Sequence, residues 1–138
     1  MTTQPDVRLA HVSTREAMHT PIVDCPPNAS LGEVAALMAG HSIHCVIVDG
    51  VRIDGNGEHV VWAVVSDSDL VRGALTGDTE LTAAAIASTE PLTVDAGDNL
   101  EAASALLAEH EASHVVVVES GRPVGVVSTL DVARSLAT

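Results

Sequence analysis

The sequence predicts a mixed α/β (α+β) protein made of two copies of one β-α-β-β-α unit. Three observations carry this. A hydrophobic β run empties into a helix-like segment through Ser-x-x-Asp twice, at Ala63-Val64-Val65-Ser66-Asp67-Ser68-Asp69 and at Gly125-Val126-Val127-Ser128-Thr129-Leu130-Asp131. A capping pattern followed by a helical stripe of apolar residues also occurs twice, through Leu31, Val34 and Met38 and again through Leu100, Ala103 and Leu107. These landmarks recur in one order, Pro21 as Pro91, Leu31 as Leu100 and Asp69 as Asp131. The spacing is nearly constant from the proline through the helix and shortens before Ser-x-x-Asp. The shortening has a local cause. The first hairpin, around Val51 to His59, is longer, and insertions collect in loop tips.

Residues 1–11 are polar and are expected to be loosely held. Thr14 to Met18 reads as one helical turn. His19-Thr20-Pro21 ends it, because the residue before a proline is pushed out of the helical region. Ile22 to Cys25 reads as extended and Pro26-Pro27-Asn28 as a turn. Ser30-Leu31-Gly32-Glu33 is a capping box, with Ser30 accepting from an early amide and Glu33 reaching back. The helix it opens is expected to end at Gly40. Ile43 to Val51 reads as a strand, Asp54-Gly55-Asn56-Gly57 as a hairpin turn and His59 to Val65 as the returning strand. Asp67 to Leu75 is a second helix, and Thr76-Gly77-Asp78 a linker.

The order then recurs. Thr82 to Ala87 is a short helix and Leu92 to Val94 is extended. Asp98-Asn99-Leu100-Glu101 repeats the capping pattern. His114 to Glu119 is a strand, Ser120-Gly121 a turn, Val124 to Val127 the return and Leu130 to Leu136 the last helix. The repeats divide the chain into 1–76, a tail with the first copy, and 77–138, a linker with the second. Neither copy, at about 60 residues, buries enough surface to be comfortable alone. The two are expected to pack face to face about a pseudo-two-fold axis, creating clefts lined by matching residues.

Composition narrows the function. The net charge is −13, with six Arg, no Lys and no cationic cluster, which disfavours nucleic acid and an anionic membrane surface. Trp62 is the sole aromatic residue, so stacking platforms for single strands are missing. No apolar run approaches the roughly 20 residues needed to cross a bilayer. The polar start has no apolar signal core, and Cys25 and Cys45 lack metal-type spacing. The expectation is a cytoplasmic protein with reduced thiols. His41, His44, His110 and His114 invite a zinc reading, but His114 starts a strand, so His110 and His114 share no helical face; no metal is assigned. Trp62 aligns with Val124 and is expected to be packed. The chain shows no nucleophile elbow, P-loop or HExxH, so no catalytic residue is assigned.

The Ser-x-x-Asp junctions carry the chemistry. A carboxylate accepts hydrogen bonds from two adjacent hydroxyls and so suits a ribose diol. Backbone amides at a helix start favour an anion, and a serine adds a hydroxyl there. The other reading is ordinary helix capping, worth about 1 kcal/mol.

The ordered set resembles a tandem CBS-domain pair, or Bateman module, over residues 12–137. It rests on Met18-His19-Thr20-Pro21, the helix to Met38, the hairpin and Ser66-Asp67-Ser68-Asp69. In the second copy it rests on Glu90-Pro91, the helix from Leu100, Ser113-His114-Val115 and Gly125 to Asp131. The resemblance implies a regulatory module that binds an adenosine-type ligand such as AMP, ATP or S-adenosylmethionine in clefts between the repeats. It implies ribose contacts from Asp69 and Asp131, and phosphate contacts from Ser66, Ser128 and Thr129. It implies an adenine pocket walled by Thr20, Pro21 and Ile22, and by Pro91 and Leu92. It also implies a homodimer and a regulated protein partner. The alternative is a ligand-free dimerisation or protein-interaction module. Ala63 departs from the family's usual glycine, which Gly125 keeps. Arg72 and Arg134 stand three residues after each Asp and are candidate phosphate partners; the other reading, at least equal to it, is that they lie solvated on the surface. Asp67, where the second motif has neutral Thr129, would repel a phosphate, so the second motif is expected to be the stronger phosphate site. The overall charge favours AMP or a near-neutral adenosyl ligand over ATP.

Overall fold

The computed structural model describes residues 4–53, 59–88 and 90–137. In chain order the elements are α1 (Val7–Ala10), α2 (Thr14–Ala17), β1 (Asp24–Cys25), α3 (Leu31–His41), β2 (Cys45–Ile53), β3 (His59–Ser66), α4 (Asp67–Leu75), α5 (Ala83–Ile86), β4 (Thr93–Asp95), α6 (Leu100–Glu109), β5 (His114–Glu119), β6 (Arg122–Ser128) and α7 (Thr129–Leu136). The β-α-β-β-α order therefore appears twice. The hairpin turn expected at Asp54 to Gly57 lies outside the described residues.

Each repeat builds a three-stranded mixed sheet, ordered β1-β2-β3 or β4-β5-β6. The first pair in each is parallel and the second antiparallel. The valine-rich stretches 46–48, 63–65, 115–117 and 126–127 are apolar without a break because both faces of the sheet are buried there. In the first sheet Val46 and Val48 face the core with Val34 and Met38 of α3. Ile47 and its cross-strand partner Val64 are buried on the opposite face. In the second sheet Val115, Val117 and Val127 face Leu100, Ala103 and Leu107 of α6. Val116 and its partner Val126 are buried on the reverse.

The first helix runs one residue past the expected stop at Gly40. Ser42, at φ 54°, supplies the left-handed residue instead, and the Ile43 amide donates to Met38 O at 3.0 Å. Ile43 packs against the core immediately afterwards, which fixes where the chain must turn. The second repeat does the same at Glu111, φ 50°, with the Ala112 amide donating to Leu107 O at 2.9 Å. Core placement, not glycine, sets these helix ends.

Packing divides the chain differently from sequence. One compact unit is Val23–Pro91; the other joins Met1–Ile22 to Leu92–Thr138. The short helix ahead of each repeat thus belongs with the other repeat's core. Thr14 of α2 is fully buried and donates through its hydroxyl to Asp95 O at 2.7 Å, while the Leu100 amide donates to Val12 O at 2.7 Å. In the other unit the Ala83 and Ala84 amides of α5 donate to Ala29 O and Pro27 O.

The N-terminal segment corrects the sequence reading. Residues 7–10 form α1 rather than a loose tail. Leu9 is buried in the core with Leu100 and Val127, and Arg8 donates to Leu136 O at 2.6 Å at the end of α7. Asp6 caps the helix and binds the Arg8 side chain, which holds its carboxyl down at about 2. A polar segment with one leucine carries no periodicity, and its partners all lie in the second half of the chain.

The bridge between His19 and Val126 also explains why one motif keeps glycine. Met18 lies over Gly125, and a Cβ there would come 2.9 Å from Met18 Cγ and 3.2 Å from His19 O. In the other unit Ser88 bridges Val64, so the corresponding residues are Ala87 and Ala63. A large residue over glycine in one copy is matched by two alanines in the other. Gly125→Ala is therefore expected to destabilise by about 1–3 kcal/mol. Met18→Ala in the same chain should return at least ~0.5 kcal/mol of that, read as non-additivity in urea unfolding.

Candidate functional site

The two strand-to-helix junctions have one local design. At the first, Ser66 Oγ accepts from the Asp69 amide at 3.1 Å and Asp69 Oδ2 accepts from the Ser66 amide at 2.9 Å. At the second, Ser128 Oγ accepts from the Asp131 amide at 3.3 Å and Asp131 Oδ2 accepts from the Ser128 amide at 2.8 Å. Both are complete capping boxes with aspartate in the reciprocal position. The amide next along also repeats, with Asp67 donating to His44 O and Thr129 to Ser113 O. The spacing therefore performs capping, and any ligand role is added to that role.

The carboxylates differ in their surroundings. Asp69 Oδ1 accepts from Arg72 Nη2 at 2.6 Å, and its side chain is 17% exposed. Asp131 Oδ1 accepts from Arg134 Nη1 at 3.2 Å, and its side chain is 4% exposed. Asp131 Oδ2 accepts two further bonds, from Ser128 Oγ at 3.0 Å and from His19 Nδ1 at 2.9 Å. An ionised carboxylate has no proton to give, so Nδ1 of His19 is the donor. Both arginines hold their own helix's aspartate, with the guanidinium end in solvent. Asp67 is likewise engaged, accepting at Oδ2 from His44 Nδ1 at 3.0 Å and at Oδ1 from the Ser68 amide.

The backbone bridges decide which proline segment shares a unit with which motif. His19 exchanges both backbone hydrogen bonds with Val126, and Thr20 and Pro21, both exposed, belong to the unit that holds Ser128 and Asp131. Ser88 exchanges both with Val64, so Pro91 belongs to the unit that holds Ser66 and Asp69. Leu92, grouped with Pro91 from the sequence, packs on the core containing Leu100. Each segment thus joins the motif of the other sequence repeat. The pairing rests on backbone contacts between residues far apart in the chain, which no local pattern encodes.

His19 and His44 were not among the expected site residues. Their signal was faint: each sits at the edge of a landmark, His19 before Thr20-Pro21 and His44 at the start of the first hairpin. Cys25 and Cys45 are buried free thiols. Burial pushes the Cys45 thiol up to about 12, and burial with the nearby Asp24 and Glu33 charges raises Cys25. A groove of ≈ 330 Å³ opens beside Cys25 between Pro26, Glu33 and Leu37, and no expected site residue lines it. Among the described residues no cluster of three or more His, Cys, Asp and Glu could hold a metal ion, and no helix is long and apolar enough to cross a membrane.

The family model of the CBS domain matches twice, at residues 14–75 and 83–138. The chain belongs to the CBS domain family. The CBS domain-containing protein YhcV of Bacillus subtilis is similar, 27% identical over 88% of this chain and 83% of its own. A CBS domain protein from Pyrobaculum aerophilum, solved in complex with AMP, is 29% identical with a TM-score of 0.73, covering 92% of this chain and all of that one. An uncharacterised conserved protein from Pyrococcus horikoshii shares the fold with a TM-score of 0.77, at 21% identity over 94% of this chain and 95% of that one. The α+β CBS pair expected from the repeats is thus the fold, with two sheets of three strands.

Proposed function

We propose that this CBS pair is a regulatory module that binds an adenosine-type ligand, with AMP the first candidate. The observation that carries it is the duplicated Ser-x-x-Asp capping box, which sets a carboxylate and a serine at the start of a helix in each compact unit. The similarity to a CBS protein solved with AMP supports the same reading. Asp69 and Asp131 are the candidates for the ribose hydroxyls. Ser66, Ser128 and Thr129 are the candidates for the phosphate. Thr20, Pro21 and Ile22, with Pro91 and Leu92, are the candidates for the adenine. Arg72 and Arg134 are candidates for the phosphate, each with guanidinium N–H groups to spare beside its bond to the aspartate.

The regulatory output is proposed to pass through a homodimer to a protein partner. Val71 and Leu75 on α4 and Leu130 on α7 are exposed apolar residues suited to such contacts. The same residues favour the second reading, an interaction module without a ligand.

Thermal melting against AMP, ADP, ATP and S-adenosylmethionine separates the two. Ligand at 100 times its Kd should add about 2.7 kcal/mol, a rise of several degrees. The largest shift is expected with AMP. No shift with any of them at millimolar concentration overturns the adenosine reading and leaves the interaction module.

A further inference from the structure

We infer that the two motifs are not equivalent: His19 latches the Asp131 carboxylate shut, so that this chain binds one adenosine-type ligand, at Asp69. The inference rests on the adenosine reading and assigns the ligand to one of its two junctions.

An ionised carboxylate offers about four acceptor positions. At Asp131 three donors, Ser128 N, Ser128 Oγ and His19 Nδ1, fall on Oδ2, and Arg134 Nη1 alone falls on Oδ1. Among the described residues Asp69 accepts only from Ser66 N and Arg72 Nη2, one on each oxygen. A ribose diol presents two hydroxyls side by side. Asp69 has an acceptor position left on each oxygen to receive them, while Asp131 has its Oδ2 fully used. Exposure follows the same order, 17% against 4% for the side chains.

Two donors make the difference, the His19 ring and the Ser128 hydroxyl, and the hydroxyl is free to turn away once the ring is gone. His19 and Ser88 hold the same station, each bridging the second residue of its motif's final apolar run, Val126 or Val64. Histidine there is long enough to reach the aspartate. Serine is not, and the Ser88 hydroxyl instead accepts from the Glu90 amide at 3.3 Å. The latch is also held at its base. Met18 covers Gly125, and the His19 backbone exchanges two hydrogen bonds with Val126. A ligand at Asp131 would have to displace a histidine whose main chain is fixed. The bonds at the two carboxylates thus reverse the order that charge alone predicted, because a missing acceptor position blocks the ribose.

Isothermal titration of the full chain with AMP tests this. The wild type should take one AMP per chain, and Asp69→Asn should weaken binding at least tenfold. His19→Ser, which copies the residue at position 88, should take two. His19→Ser combined with Asp69→Asn should take one again, now at Asp131. Wild type binding two AMP, Asp69→Asn retaining full affinity, or His19→Ser remaining at one overturns the latch. If His19→Ser does not fold, His19→Asn replaces it, and the wild type against Asp69→Asn comparison still decides which junction is used. Binding in none of the chains overturns the adenosine reading itself, a result distinct from wild-type binding that survives Asp69→Asn.

Discussion

Asp131→Ala is expected to lower the free energy of unfolding by about 2–3 kcal/mol, well beyond an ordinary helix cap. The side chain is 4% exposed and accepts from four donors. Alanine removes the reciprocal half of the capping box of α7 and strands the Ser128 amide at a half-buried junction. It also frees His19, whose bridge to β6 joins the N-terminal segment to the second sheet. Urea denaturation should show the loss as a lower midpoint. Asp131→Asn, which keeps an acceptor oxygen, should recover part of it. A loss for alanine no larger than that of an exposed surface substitution would mean that the four bonds are not made together in solution.

Leu100→Ala is expected to cost about 3–5 kcal/mol. Leu100 is the largest of the fully buried side chains and lies at the start of α6, where its own amide donates to Val12 O. It packs with Leu107, Val115, Val117 and Val127, and with Leu9 from α1. These neighbours sit on strands and helices tied by backbone hydrogen bonds and cannot close over the lost volume. A drop in melting temperature on the order of 10 °C should follow. Val7→Ala serves as the control. Val7 is 72% exposed on α1, and its loss should stay within about 0.5 kcal/mol. Equal effects at Leu100 and Val7 would contradict the assigned core.

Much of the local structure was legible in advance. The α4 bounds, Asp67–Leu75, and the β5 bounds, His114–Glu119, match the sequence reading. Strong signals lie behind both: a Ser-x-x-Asp cap opens α4, and an unbroken valine run makes β5. The candidate site was legible to the same depth. Ser66, Asp69, Ser128 and Asp131 are at helix starts because capping is a contact between residues three apart. Ends that depend on packing were less legible, as at Ser42, where Ile43 returning to the core turns the chain and Gly40 does not.

By itself, the sequence determined the repeat, the β-α-β-β-α order and the two capped junctions. Each of these follows from neighbours a few residues apart, whose periodicity and hydrogen-bonding types are written in a short window. Only the tertiary structure decided that Leu9 is core, that each leading segment joins the other repeat's motif, and that His19 occupies Asp131 while Ser88 leaves Asp69 open. Those outcomes depend on contacts between residues far apart in the chain.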